Sequence, residues 1–365
     1  MKSIAIDARI INSSTGRYVE RLLHYLQEID KTNHYSVLVR EKDKDFWKPT
    51  AKNFKVIVAE FDQYSFREQL GYYLFLRKLR PDLIHFCMSQ QPILYTGKKI
   101  TTIHDLTLLK SYSSDKNWIM YKAKQAVGRF VFKKIIKDNY RIITDSNYTK
   151  DELVSFSKKS LGKTKVIYLA AETEASPPQK VSIGFESFIM YIGRQSDHKN
   201  IKRLGCAHQK LLKAYPDLGL VLVGKKDASA DINQEYFNRA EYKNILFTDF
   251  LSDREVSWLY KNCSAYVFPS LMEGFGLPGL EAMGYGAPVV SSNATCLPEV
   301  YGNAAHYFNP KDTDDMARAI DEVLSNKKLR ERLVRTGYQQ VKKYSWKKMA
   351  EETHALYLKA MRSNE

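Results

Sequence analysis

Short apolar runs recur along the first 170 residues, separated by mixed segments of helix length. Candidate strands are Ile4–Asp7, Tyr35–Val39, Val56–Ala59, Leu83–Phe86, Ile100–Ile103, Ile142–Thr144 and Val166–Leu169. This is the pattern of a parallel sheet with crossover helices. A polar stretch containing Pro177-Pro178 follows, and it reads as a linker over 171–184. A second series then begins: Phe188–Ile192, Leu220–Val223, Ile245–Phe247, Ala265–Phe268, Pro288–Ser291 and His306–Phe308. From Asp314 onward the pattern is helical and ends in SWKKMAEETHALYLKAM. The fold class expected is α/β, with Rossmann-like parallel-sheet domains at 1–170 and 185–345 and a terminal helix at 346–365. Two such halves predict a ligand cleft between them.

The stretch Ala265–Pro298 concentrates the chemistry. An apolar run breaks at Pro269, and a loop carrying Glu273, Gly274 and Gly276 follows. Pro278 suits the first turn of a helix, where its missing N–H has no partner to lose. Leu280, Ala282 and Met283 continue that helix until Gly284 and Gly286 end it. Unpaired N–H groups and the helix dipole make such an N-terminus an anion site, and glycines allow a phosphate close to the backbone. Glu273 on the loop and Glu281 one turn into the helix would repel phosphate. They are better suited to accept hydrogen bonds from sugar hydroxyls, and phosphate with sugar hydroxyls describes a nucleotide-sugar. Gly274-Phe-Gly276-Leu-Pro-Gly279 also matches G-x-G-x-x-G, with Glu299 further on. A dinucleotide loop should start at the strand end, however, whereas Pro269 and four further residues intervene here.

The string E-G-F-G-L-P-x-L-E-A-M, with G-x-P-V-V and L-P-E-V after it, resembles the retaining glycosyltransferases of family 4, which have the GT-B fold. The resemblance spans nearly the whole chain. It implies that Glu273 holds the donor hexose, Glu281 the ribose, and the backbone of Gly274, Phe275, Gly276 and Leu277 the diphosphate. Gly193-Arg194-x4-Lys199-Asn200 follows the first strand of the second half, and by the resemblance Arg194 and Lys199 grip the donor diphosphate. His104-Asp105 ends the strand ITTI and matches the family's pair that reaches the donor sugar. Its implied role is electrostatic help near the anomeric carbon rather than proton abstraction. Gly16 in Thr15-Gly16-Arg17-Tyr18 is the candidate contact where the family has Gly-x-Gly, and Thr15 is a departure there. Asp249 is a second departure, standing where the family often has glycine. Ser146 reads as the cap of the next helix.

Charge adds a possible partner. The formal net charge is +16. Residues 1–170 carry 31 Lys/Arg against 17 Asp/Glu, so the excess of +14 lies in the first half. Within 116–137 there are seven basic residues and no acidic one, interleaved with Trp118, Ile119, Tyr121, Phe130, Phe132 and Ile135. As a helix this is basic and amphipathic, which suits an anionic membrane surface and makes a lipid-linked acceptor natural. No run of about 18 apolar residues exists, so no membrane span is expected. MKSIAIDARI alternates like a strand and is not read as a signal peptide. The four scattered cysteines lack metal spacing. Asp43-x-Asp45 and Asp312-x-Asp314 match the D-x-D of metal-dependent transferases, but both read as exposed loops or helix starts, neither follows a strand end facing the predicted cleft, and no metal is expected.

The expectation is a cytoplasmic or peripheral inner-membrane transferase moving a hexose, mannose by overall similarity to bacterial surface-polysaccharide mannosyltransferases. The donor is a GDP- or UDP-sugar, and the acceptor a glycan or lipid-linked hydroxyl. A nucleotide-sugar epimerase of the same fold is the alternative. A nucleic-acid-binding protein is a further one, although no nucleic-acid motif appears.

Overall fold

The computed structural model describes all residues except Ser14, Tyr64, 111–117, Glu174, Ala175, Asn364 and Glu365, and of 118–121, 123 and 124 it describes the backbone. The described residues form two compact units. The first is built from Met1–Lys110, 118–169 and 345–363, and the second from Ala170–Tyr344.

The first unit holds a seven-stranded sheet: β1 Ser3–Asp7, β2 His34–Val39, β3 Phe54–Val58, β4 Leu83–Phe86, β5 Lys99–Ile103, β6 Arg141–Thr144 and β7 Thr164–Val166. Their order is β3-β2-β1-β4-β5-β6-β7, and every pairing is parallel. One expected strand is misplaced. The apolar run Val166–Leu169 lies mostly beyond β7, because β6 offers only Ile142–Thr144 to pair with. Ile167 and Leu169 are buried all the same.

Helices cover both faces of this sheet. On one side, helix Gly16–Ile29 packs against the last helix, Trp346–Arg362. There Tyr18 bonds Thr102 of β5 (2.8 Å) and Tyr357 bonds His85 of β4 (2.5 Å). On the other side, Tyr72 and Leu76 pack over Ala5, Leu38, Ile84 and Phe86. Phe132, Ile135 and Ile136 of helix Trp118–Asp138 pack over Ile103 and Ile142. Phe86 pairs with Thr101, and Ile103 lies two residues on, so these side chains share one face of the sheet.

The second unit repeats the plan with β8 Phe188–Ile192, β9 Gly219–Val223, β10 Ile245–Phe247, β11 Ala265–Phe268, β12 Val289–Ser292 and β13 Ala305–Phe308. The order is β10-β9-β8-β11-β12-β13, all parallel. β8, β9 and β11 are almost wholly buried, as strands sandwiched between helices must be. The chain reverses its direction of winding between β8 and β11. In an open parallel sheet that switch point is where the loops part and a ligand can enter. No helix among the described residues is long and apolar enough to cross a membrane.

Candidate functional site

The loops leaving β8 and β11 are tied together at this switch point. Asn200 is buried with φ 65°, and its side-chain amide donates to the carbonyls of Pro269 (3.0 Å) and Pro310 (2.7 Å). The Leu271 N–H donates to the His198 carbonyl at 2.8 Å. This clamp sets Lys199 against Glu273, with Nζ 2.5 Å from Oε1 and Nζ 5.7 Å from the centre of the Phe268 ring. Both side chains are largely covered, so each charge is worth more to the other than on an open surface. The Glu273 N–H donates to Thr295 Oγ1 (3.2 Å), and the Cys296 thiol donates to the Glu273 carbonyl (3.3 Å).

Helix Leu277–Gly284 starts at Gly276, with Pro278 in its first turn and no side chain capping it. Glu281 sits in its second turn, half-buried. The glycines here have a reason beyond phosphate approach. Gly276 has φ 87°, and its carbonyl accepts the Tyr301 hydroxyl at 2.5 Å. A side chain on Gly276 or Gly279 would overlap Tyr301. The loop is therefore held in place by Tyr301. Phe275 is buried edge-on against Tyr344, 5.6 Å between ring centres, so only its backbone can serve a ligand. Gly274 is buried and Leu277 half-buried.

Arg194 is not brought to this pair. Its side chain is 71% exposed and its Nε lies 2.8 Å from Asp227 Oδ2. Asp227 is also the cap of helix Ala228–Arg239. Asp249 is exposed and accepts the N–H of Phe250 at 2.8 Å.

In the first unit, three adjacent strand ends surround His104. Its Nδ1 is 2.6 Å from Asp145 Oδ2, just past β6, and its Nε2 is 3.0 Å from the carbonyl of Cys87, just past β4. Both partners are acceptors, an arrangement that favours the doubly protonated imidazole. Burial opposes that charge, but Asp145 and the Cys87 carbonyl hold the pKa above the ordinary histidine value. The Tyr18 ring meets His104 edge-on at 5.0 Å. Both ring nitrogens are thus engaged by groups of the first unit itself. Asp105 is exposed and accepts the Thr107 N–H at 2.7 Å, opening helix Thr107–Lys110. Gly16 is buried at the start of helix Gly16–Ile29, where a Cβ would collide with the Ile11 carbonyl. The turn at Ile10 and Ile11 thus requires glycine at this position. Asp7-Ala-Arg9 is internal too: Arg9 bonds Asp7 and Glu68 at 2.8 and 2.9 Å.

The sequence assigns no role to Asp145, Asn200 or Asp227, although Asn200 stands in the motif with Lys199. Asp145 had a signal, since it follows a strand that pairs directly with the one ending at His104. Asp43, expected to be exposed, is buried and accepts from Asn12 at 3.0 Å. Its D-x-D partner Asp45 is exposed, so the two carboxylates form no pair. Asp312 caps helix Thr313–Ser325. Among the described residues no three His, Cys, Asp or Glu side chains cluster as metal ligands.

Residues 173–340 match the family model described as Glycosyl transferases group 1. The second unit is a group 1 glycosyltransferase domain. The chain is 28% identical to the O-antigen chain mannosyltransferase B of Escherichia coli over 71% of its own length and 70% of that protein's. It is 32% identical to the serotype-specific mannosyltransferase WbdA of Escherichia coli over 56% of its length, but spans only 26% of that longer protein. Among solved structures, the sucrose-phosphate synthase of Thermosynechococcus elongatus superposes with a TM-score of 0.79 at 18% identity, covering 98% of this chain and 99% of that one. The chain therefore shares its fold with that neighbour, in agreement with the GT-B architecture that the sequence resemblance implies.

Proposed function

We propose that this protein is a retaining transferase that moves a hexose, mannose in our reading, from a GDP- or UDP-sugar to a hydroxyl of a glycan or lipid-linked acceptor. The observation that carries the proposal is the Lys199–Glu273 pair at the β8/β11 switch point of a group 1 domain. As the bond to the donor sugar breaks, charge builds on the departing diphosphate. Lys199 neutralises it, together with the backbone N–H groups at the start of helix Leu277–Gly284 and Arg194 once it leaves Asp227. Glu273 and Glu281 accept hydrogen bonds from the donor's hydroxyls. His104, positively charged beside Asp145, and Gly16 and Asp105 complete the donor-binding set in this reading. The diphosphate is met by side-chain cations, so no metal is required. The mannosyltransferases among the relatives favour mannose. Helix Trp118–Asp138 lays its basic side on an anionic inner membrane surface, with no part for nucleic acid; Lys116, Trp118, Ile119 and Tyr121 of that reading lie outside the described side chains.

Thermal-shift measurement against a panel of nucleoside diphosphate sugars tests the donor: one base and one hexose should raise Tm above all others. Lys199→Ala should lower the transfer rate by about 10²–10³ while keeping a cooperative unfolding transition. A fully active Lys199→Ala enzyme would refute the assignment.

A further inference from the structure

The helical run 66–79 presents an apolar ridge to solvent. Its first half winds as a π-helix, Glu68–Tyr72, and Tyr73–Leu79 continues as α-helix. Phe66, Leu70 and Leu74 follow one another every four residues and are 95%, 61% and 54% exposed. Large apolar side chains in such a row cost free energy in water and call for a cover. The inner side of the same run is ordinary core, with Tyr72 and Leu76 fully buried.

Charge identifies the cover. Arg67, Arg77, Lys78 and Arg80 are exposed on the run and just past it. Its single carboxylate, Glu68, is turned inward and bonded to Arg9 at 2.9 Å. The outer surface of the run is thus apolar and basic with no acid of its own. Helix Trp118–Asp138 lies on the same face of the sheet and continues the character. Its Val127 and Phe130 are 62% and 57% exposed, and Lys122, Arg129 and Lys133 are exposed among them. The opposite face of this sheet is covered by helix Gly16–Ile29 and the last helix, and among the described residues those two helices show no such row.

We propose that the run 66–79 is a membrane-docking element: Phe66, Leu70 and Leu74 enter the acyl boundary of an anionic bilayer, and the flanking arginines and lysine meet its phosphates. Helices of this kind lie in the plane of the interface, and their binding scales with buried apolar area and with attraction to anionic lipid. The lipid assignment rests on the membrane reading of helix Trp118–Asp138; the ridge adds the part that inserts.

The test places a polarity-sensitive fluorophore on Leu70→Cys in a Cys206→Ser background, since the other three cysteines are buried. With phosphatidylglycerol-containing vesicles the emission should shift to the blue, and with phosphatidylcholine vesicles it should not. The same probe on Ile232→Cys, in the second unit, should stay unchanged with both. Phe66→Ser/Leu70→Ser/Leu74→Ser should weaken co-sedimentation with anionic vesicles at least tenfold while the thermal-shift response to nucleotide-sugar persists. If the wild type sediments with anionic vesicles but the Leu70 probe does not shift, the ridge proposal is overturned and the reading of helix Trp118–Asp138 stands. If the wild type does not sediment, both fall. Tighter binding of a single-stranded RNA than of vesicles, lost in the triple variant, would assign the surface to nucleic acid and overturn the proposal.

Discussion

His85 and His104 sit close together in the first unit, and their surroundings shift their pKa values in opposite directions. His85 lies between the hydroxyls of Tyr357 (2.5 Å) and Thr102 (2.9 Å), which can donate or accept, so a neutral ring is satisfied there. Burial, aided by the positive charge of His104, brings its pKa down to about 3. In the second unit His208 donates Nε2–H to the Leu218 carbonyl and accepts from Gln209, and burial lowers its pKa to about 4. Both are depressed relative to the unfolded chain. The stability they contribute is whole above the unfolded value of about 6.5 and is lost as pH falls toward the folded values. Each should remove about 1.4 kcal/mol per pH unit over that window. His104 has the opposite sign: its ion pair with Asp145 stabilises at low pH and is lost as pH rises through its raised pKa. Urea midpoints measured from pH 7 to pH 4 should therefore fall steadily. A flat profile would mean that these rings are not buried neutral.

At the scale of elements, the site depends on how the loop after β11 meets helix Leu297–Tyr301. Tyr301 fills the space left by Gly276 and Gly279 and bonds the Gly276 carbonyl. Gly279→Ala should overpack this contact and lower stability by about 1–3 kcal/mol, read from urea denaturation. A neutral effect would show that Tyr301 moves aside freely. The strand series, the helix around Pro278 and the cap at Ser146 were legible in the sequence, because burial and capping follow from local pattern. Ser146 indeed accepts from the Thr149 N–H to open helix Asn147–Phe156. The reason for the glycines was not legible, since Tyr301 is remote from them along the chain.

For the whole molecule, the chain leaves its first unit at Leu169 and re-enters it at Ser345. The last helix brings Trp346, Met349 and Tyr357 into that unit's core, and His354 lies 3.0 Å from Asp30. A variant ending at Tyr344 should lose these buried side chains and leave His85 without one partner. It should bind a hydrophobic dye and unfold at a lower temperature than the full chain. An unchanged Tm would show that the helix contributes little.

The sequence by itself determined two α/β sheets, their thirteen strands to within a few residues, and the transferase motif after β11, because apolar runs must be buried whatever surrounds them. The tertiary structure alone decided which charges meet: Lys199 with Glu273, Arg194 with Asp227, and His104 with Asp145. These groups lie on loops past strand ends, where no periodicity guides a reading, and their partners depend on which strand ends become neighbours in the sheet.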